Sequence, residues 1–266
     1  MTLSRQGARA PKFSPAVVER MIPLNETTLE IRLRSAHDYQ YQAGQYLPVC
    51  INDQMMRYYS LASAPSVDMA YHLHVKKGEE GSSGWWVHHN LKPGHKVFVG
   101  QPAGASTYQP QPDTPMLLVA TGSGLASFYG IVREALFHGH EAPIRLYHGV
   151  RHGKELYLME QLRALEKLYP NLHYIPCISG SGMIPHCQQG RALDIAMAST
   201  SLSADWKVYF SGHPDMVHDG WKAAMARGMS TDAIFSDHQP DLGSLMPMAA
   251  AKISVRVEHH LQLASA

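Results

Sequence analysis

The chain has 266 residues, 45% of them hydrophobic and 17% charged, with a formal net charge of +1. That length allows two modest domains, and the near-neutral charge gives no footprint for nucleic acid. The three cysteines, Cys50, Cys177 and Cys187, form neither a disulfide framework nor a CxxC site, as expected of a protein from a reducing compartment.

The first hundred residues read as short strands and turns. Ala16–Arg20 and Thr28–Leu33 are β-type runs separated by Pro23 and Asn25, and Leu29, Ile31 and Leu33 alternate with charge. A turn at Ala43-Gly44 precedes Gln45–Cys50, and Ala70–Val75 alternates again. Strands at this spacing predict a small antiparallel barrel. One helix is expected from Ser83 to Leu91, stopped by Pro93-Gly94.

The grammar changes at Pro110-Gln111-Pro112-Asp113, a linker-like stretch. Strands are then expected at Met116–Ala120, Ile144–Val150, Leu172–Cys177, Lys207–Phe210 and Ala233–Phe235. Helices are expected at Leu125–Phe137, Lys154–Leu168 and Met216–Ala226. This alternation predicts a five-stranded parallel sheet covered by helices on both faces. The expected division is a barrel domain over 1–110, an α/β domain over 111–239 and a tail over 240–266. The tail fits either a strand, through Ile253, Val255 and Val257, or a helix beginning at Ala249.

The opening MTLSRQGARAPKFSP lacks the apolar core of a signal peptide. The long apolar stretch Met116–Val132 carries three glycines and two serines, which suit a strand, turn and helix better than a membrane span. A cytoplasmic location is therefore expected. Histidine is abundant at 17 residues. The pairs His88-His89 and His259-His260 are adjacent, so their side chains diverge and no metal site is expected.

Two motifs carry chemistry. Arg57-Tyr58-Tyr59-Ser60 places a cation, aromatic rings and a hydroxyl side by side. Arginine grips phosphate through a fixed fork, and tyrosine offers a large flat face at small entropic cost. Strand alternation puts Arg57 and Tyr59 on one side and Ser60 on the other. Gly81-Ser82-Ser83 opens the expected helix, so its amides can bind a second phosphate group. The other motif, Thr121-Gly122-Ser123-Gly124, ends a buried strand and starts a helix, where backbone amides can approach a diphosphate. Ser211-Gly212-His213-Pro214-Asp215-Met216 is another strand–turn–helix junction, with Ser211 and Gly212 facing a nicotinamide in the functional reading.

From Ala16 to His238 the chain resembles the ferredoxin–NADP reductase superfamily. The resemblance is nearest to reductase components of bacterial oxygenases and to stand-alone ferredoxin or flavodoxin reductases. The motifs occur in family order: Gly44-Gln45-Tyr46, Arg57-Tyr58-Tyr59-Ser60, Gly81-Ser82-Ser83, Leu91-Lys92-Pro93-Gly94 and Gly100-Gln101-Pro102-Ala103-Gly104. Then follow Thr121-Gly122-Ser123-Gly124, Tyr147-His148-Gly149-Val150-Arg151 and Ser211–Met216. The resemblance implies an FAD-binding barrel followed by an NAD(P)-binding domain. It implies that Arg57 holds a flavin phosphate, Tyr59 packs on the isoalloxazine with Tyr58 beside it, and Ser60 lies near N5. Gly81, Ser82 and Ser83 would cradle the flavin diphosphate. Thr121, Gly122, Ser123 and Gly124, with Arg151, Gly212 and Met216, would hold the dinucleotide. Ser60 and Ser211 are the implied catalytic positions.

Four departures stand out. Ser127 replaces the proline that usually ends the glycine motif, and Ser211 replaces a cysteine. Asp237-His238-Gln239 lacks the usual covering aromatic, and no CxxxxCxxC ferredoxin segment is present. The one-electron carrier is therefore expected to be a separate ferredoxin, flavodoxin or oxygenase. Ser179 is followed by Gly180 rather than the arginine common in NADP users, although Arg151, His152, Lys154 and Arg191 could compensate. NADH is the expected donor, with NADPH possible. The rival expectations are a free-flavin or ferric-chelate reductase and a non-catalytic flavin-binding regulatory subunit.

Overall fold

The computed structural model describes residues 13–52 and 55–237. Six antiparallel strands form the first unit: β1 (Phe13–Pro23), β2 (Thr28–Ser35), β3 (Tyr46–Asn52), β4 (Met55–Ser60), β5 (Tyr71–Lys76) and β6 (Lys96–Gly100). Their order is β4-β3-β6-β1-β2-β5, and a bridge between Leu61 and Leu73 nearly closes the sheet into a barrel. Alternation along each strand turns Ala16, Val18, Ile31, Leu33, Leu47, Val49, Val97 and Val99 into one core. The short helix α1 (Ser83–Asn90) covers this core with Val87, and Leu91 follows it inward. Ser82 caps α1 by accepting the Trp85 N–H at 3.1 Å. Strand β6 has the same in-out alternation, at Val97 and Val99, yet is absent from the sequence-based elements.

The second unit is a parallel sheet. Its strands are β7 (Met116–Thr121), β8 (Ile144–Val150), β9 (Leu172–Ile178), β10 (Gln188–Gln189), β11 (Lys207–Ser211) and β12 (Ile234–Ser236). Five of them are the expected strands, and the two-residue β10 adds an edge. The order is β10-β9-β8-β7-β11-β12. The helices are α2 (Leu125–Phe137), α3 (Met159–Leu168), α4 (Ala192–Ser199) and α5 (Pro214–Met225). Residues of β7 alternate between two cores. Leu118 and Ala120 meet Phe128 and Ile131 of α2, while Leu117 and Val119 meet Leu193 of α4 and Val217 and Trp221 of α5. Helix α4 was not anticipated, although Leu193, Ala196 and Met197 have helical spacing and are buried.

The expected helix over 154–168 is shorter than its sequence suggested. Leu156, Tyr157 and Leu158 are all buried, and three consecutive buried side chains cannot share one helical face. They run as a plug after a single 3-10 turn, Gly153–Glu155, and Leu158 takes a left-handed φ of 58° before α3 starts.

The chain climbs from β7 through β8, β9 and β10, then returns to lay β11 and β12 on the other flank of β7. The strand order therefore reverses between β7 and β11. In such sheets a crevice opens at the carboxyl ends of the two strands flanking the reversal.

The two units meet along a polar seam. Arg133 of α2 clamps Asp68 through two bonds, 2.7 and 2.9 Å. Ser66 donates through its N–H and hydroxyl to Glu134 at 3.0 and 2.7 Å. Asn25 donates to the Glu155 carbonyl at 2.9 Å, and Lys76 pairs with Glu155 at 2.9 Å. Burial alone would raise Glu30, but His74 Nε2 at 3.5 Å and the Arg32 guanidinium at 2.7 Å outweigh that and hold the carboxyl at about 2. The Asp68–Arg133 pair is largely withdrawn from solvent. Removing one member of such a pair leaves the other charge stranded. Arg133→Met is expected to cost about 3 kcal/mol of unfolding free energy, measured by urea titration. A change below about 0.5 kcal/mol would mean that the pair adds nothing to the seam.

Candidate functional site

The crevice is a cleft of about 910 Å³. Tyr46, Tyr58, Ser60 and Lys76 line it from the barrel. Thr121–Gly124, Gly149–Arg151, Ser179, Gly190–Leu193, Gly212, His213 and Met216 line it from the parallel sheet. That volume falls within the range of cofactor sites.

Two glycine turns build its floor. After β7 a single 3-10 turn, Gly122–Gly124, leads directly into α2, so the helix N-terminus faces the cleft. After β11 the chain turns at Gly212, with φ of +122°. A Cβ on Gly212 would stand 2.3 Å from Thr121 Oγ1, and one on Gly124 would stand 2.4 Å from the Ser211 carbonyl oxygen. Only glycine lets these turns nest. Thr121 Oγ1 then accepts the His213 N–H at 2.8 Å, which ties them together.

Ser211 lies behind this floor. It is 1% exposed, and its hydroxyl donates to Asp237 Oδ2 at 2.8 Å. The Gly212 N–H reaches the same carboxylate oxygen at 3.1 Å. The Ser127 hydroxyl lies 3.2 Å from the Gly124 carbonyl and 3.4 Å from Ser211 Oγ. Ser211, expected to face a nicotinamide, gives its hydroxyl to Asp237 in this structure. Gly212 and Asp237 border the cleft instead.

Strand β4 divides the first motif between two places. Register pairs Arg57 with Val49 and Tyr59 with Leu47, so both side chains share the face of β3 that holds the barrel core. Tyr58 and Ser60, opposite Pro48 and Tyr46, take the other face and line the cleft. Tyr59, expected against a flavin ring, lies on the core-facing side of β4. Its ring packs half-buried against the core, whereas the 61% exposed Tyr58 stands in the cleft, edge-on to Tyr46 at 5.4 Å. Arg57 is exposed and donates to Ser83 Oγ at 3.2 Å and to the Met56 carbonyl at 2.8 Å. It thereby joins Gly81, Ser82 and Ser83 at the N-terminus of α1, outside the cleft proper. Gly81 adopts φ of +82° with open space where a Cβ would be.

These two groups suit a flavin dinucleotide and a nicotinamide dinucleotide in chemistry. The Arg57 fork, the Ser82 and Ser83 hydroxyls and the first amides of α1 form a donor set for a diphosphate. The glycine turn at α2 forms a second one. Among the cleft cations, Lys76 is paired with Glu155. Arg191 lies 3.3 Å from Asp219 and 3.9 Å from Asp194. Arg151 makes no ion pair among the described residues.

Residues 17–108 match the oxidoreductase FAD-binding domain family, and residues 118–221 match the oxidoreductase NAD-binding domain family. The chain belongs to the ferredoxin–NADP reductase superfamily. A relative from Ralstonia sp is 32% identical over 73% of this chain and 60% of its own length. It is the ferredoxin–NAD(P)+ reductase component of naphthalene 1,2-dioxygenase/salicylate 5-hydroxylase systems. The reductase component of the naphthalene 1,2-dioxygenase system of Pseudomonas putida is 30% identical over 78% of this chain and 63% of its own length. The chain thus spans less than two thirds of these two relatives. Among solved structures, an Amycolatopsis cytochrome P450 reductase has a TM-score of 0.77 at 27% identity, covering 88% of this chain and 72% of that one. The ferredoxin NADP+ reductase of Neisseria gonorrhoeae, solved with FAD and NADP, shares the fold with a TM-score of 0.74 at 18% identity, covering 86% and 99%.

Within this superfamily member, sequence reasoning missed the cleft pair Lys76–Glu155 and the role of Asp237 as an acceptor for the glycine turn. No local signal marks a pair 79 residues apart. His238 and the tail over 240–266 lie outside the described residues.

His148 supports the floor from below. It is fully buried, and that desolvation pushes its pKa down to about 4 despite the opposing contact with the Gly122 carbonyl. The unfolded chain takes up this proton near 6.5, whereas the folded chain resists until about 4. His148 thus contributes a stability present above pH 6.5 and lost as pH falls from 6.5 towards 4. The loss is expected to reach about 3 kcal/mol at most. Unfolding titrations across that window should show it in the native chain and a smaller loss in His148→Phe. Equal losses in both would remove His148 from the account.

Proposed function

We propose that the protein is an FAD-dependent NAD(P)H oxidoreductase that serves a separate electron acceptor protein: a ferredoxin, a flavodoxin or an oxygenase component. One observation carries this reading. A glycine turn at the strand-order reversal opens on the same cleft as Ser60 and Tyr58, and the same strand β4 delivers Arg57 to the anion-binding end of α1. The relatives, reductase components of oxygenase systems, support it over a free-flavin or ferric-chelate reductase and over a non-catalytic subunit.

When bound, FAD would supply the redox chemistry, taking a hydride from the nicotinamide and releasing electrons singly. The chain's work is to bind, orient and exclude water. Arg57, Gly81, Ser82 and Ser83 hold the flavin diphosphate. Ser60 offers a hydroxyl to the ring from the cleft side, and Tyr58 gives it an aromatic wall. Thr121, Gly122, Ser123 and Gly124 receive the nicotinamide dinucleotide on backbone amides, with Gly212 and Met216 closing the floor. Arg151, Arg191 and Ser179 flank the far end. Two of the cleft cations already have carboxylate partners, and no arginine follows Ser179, so NADH is the proposed donor, with NADPH as the second choice.

The proposed division is 1–110 for flavin, 111–239 for the nicotinamide dinucleotide and 240–266 as a tail. None of the described helices is long and apolar enough to cross a membrane, and the proposed location is cytoplasmic.

The test is the visible spectrum of the purified protein before and after anaerobic NADH. Bound flavin that bleaches supports the reading; bound flavin that NADH and NADPH leave oxidised overturns it. Cytochrome c reduction that depends on an added ferredoxin separates the protein-acceptor reading from a free-flavin reductase. Arg57→Ala removes a charge-assisted contact worth about 1.5–3 kcal/mol, so FAD should bind about 10- to 100-fold more weakly. Full flavin occupancy in that variant would refute the role of Arg57.

A further inference from the structure

We propose that His148 is a positioning residue for the dinucleotide, holding the Gly122 carbonyl inward so that the glycine turn shows its amide edge to the cleft. The proposal rests on the oxidoreductase reading above. His148 stands near the end of β8 with no exposed surface. Its Nε2 lies 3.3 Å from the Gly122 carbonyl oxygen, and its Nδ1 lies 3.3 Å from the Tyr174 hydroxyl. A carbonyl oxygen only accepts, so Nε2 carries the proton. Nδ1 is then a bare acceptor, and Tyr174 donates to it. The ring is caught between one donor and one acceptor, which fixes both its tautomer and its plane. Tyr157 stands edge-on to it with centroids 5.4 Å apart and leaves little room to tilt.

The consequence lies in the peptide plane. A trans peptide sets its carbonyl and the following N–H in opposite directions, and the described residues contain no cis bond. With the Gly122 oxygen turned inward to His148, the Ser123 N–H turns outward, on the side where Ser123 lines the cleft. The same oxygen accepts the Leu125 N–H that opens α2, so one carbonyl registers both the turn and the helix N-terminus. Gly122 cannot enforce this by itself. Its φ is +54° and nothing lies within 4 Å of where a Cβ would be. A glycine with open surroundings can rotate its peptide at little steric cost. His148 adds a second restraint on that carbonyl, beside the Leu125 N–H. The ligand class is a dinucleotide diphosphate, read by backbone N–H groups at a helix start.

Two variants separate positioning from packing. His148→Phe keeps a ring and loses the donor; His148→Gln restores an N–H at similar reach. Calorimetry of NAD+ binding to the flavin-loaded protein gives the equilibrium readout, with thermal unfolding as a control on folding. His148→Phe should raise the dissociation constant about five- to tenfold, and His148→Gln should recover most of it. In the unaltered protein, ring 15N shifts should report a single neutral tautomer protonated at Nε2 at pH 7, a measurement independent of whether any variant folds. Equal NAD+ affinity in folded His148→Phe, or a ring protonated at Nδ1, would overturn the proposal. If the unaltered protein binds neither NAD+ nor NADP+, the oxidoreductase reading itself falls and takes the proposal with it.

Discussion

The whole site depends on two turns approaching more closely than any side chain would allow. Gly124 and Gly212 sit at the carboxyl ends of neighbouring parallel strands, and each would drive a Cβ into the backbone of the other's turn. Their contact is possible because the strand order reverses between β7 and β11, which leaves no helix over the gap. The fold makes the crevice, and the missing side chains make its floor flat. Thr121 and Asp237 complete it by satisfying the amides of His213 and Gly212 that the turns would otherwise strand.

Charge is distributed with a similar economy. Within the seam the ionic groups are paired: Asp68 with Arg133, Glu30 with Arg32, Lys76 with Glu155. Towards the ligands the donors are backbone amides, hydroxyls and the Arg57 fork. An anion thus meets oriented dipoles with few competing carboxylates, Asp215 and Asp237 being the acidic residues there beside the paired Glu155. Burial pushes the pKa of each of the four buried histidines, His72, His74, His140 and His148, below the usual histidine value, which favours the neutral ring in the interior.

Much of this was legible in the chain. Periodicity marked the barrel strands around Thr28–Leu33 and Ala70–Val75 and the five main strands of the parallel sheet, because each buries one alternating or continuous apolar set. The glycine turns were legible because they sit between a strand and a helix. What escaped had non-local causes. Tyr58 and Tyr59 are chemically identical, and which of them meets the cleft depends on the register of β4 against β3, set by Leu47 and Val49. The bond from the Ser211 hydroxyl was not legible because its partner, Asp237, lies 26 residues away. The helix expected from 154 gave way to tertiary burial of Leu156–Leu158, which no propensity scale registers. Strand β6 and helix α4 did carry their periods in the sequence, through Val97 and Val99 and through Leu193, Ala196 and Met197, and were passed over.

The polar seam limits how freely the two halves can be exchanged in evolution. An apolar contact between domains tolerates a new neighbour of roughly similar shape. A clamp such as Arg133 on Asp68, with Ser66 on Glu134 beside it, accepts only a partner that brings the complementary group to the same spot. A recombinant that took its barrel from one lineage and its nucleotide half from another would inherit half of each clamp, left dry and unanswered. The two modules are therefore expected to travel through gene fusion and shuffling as a single inherited block.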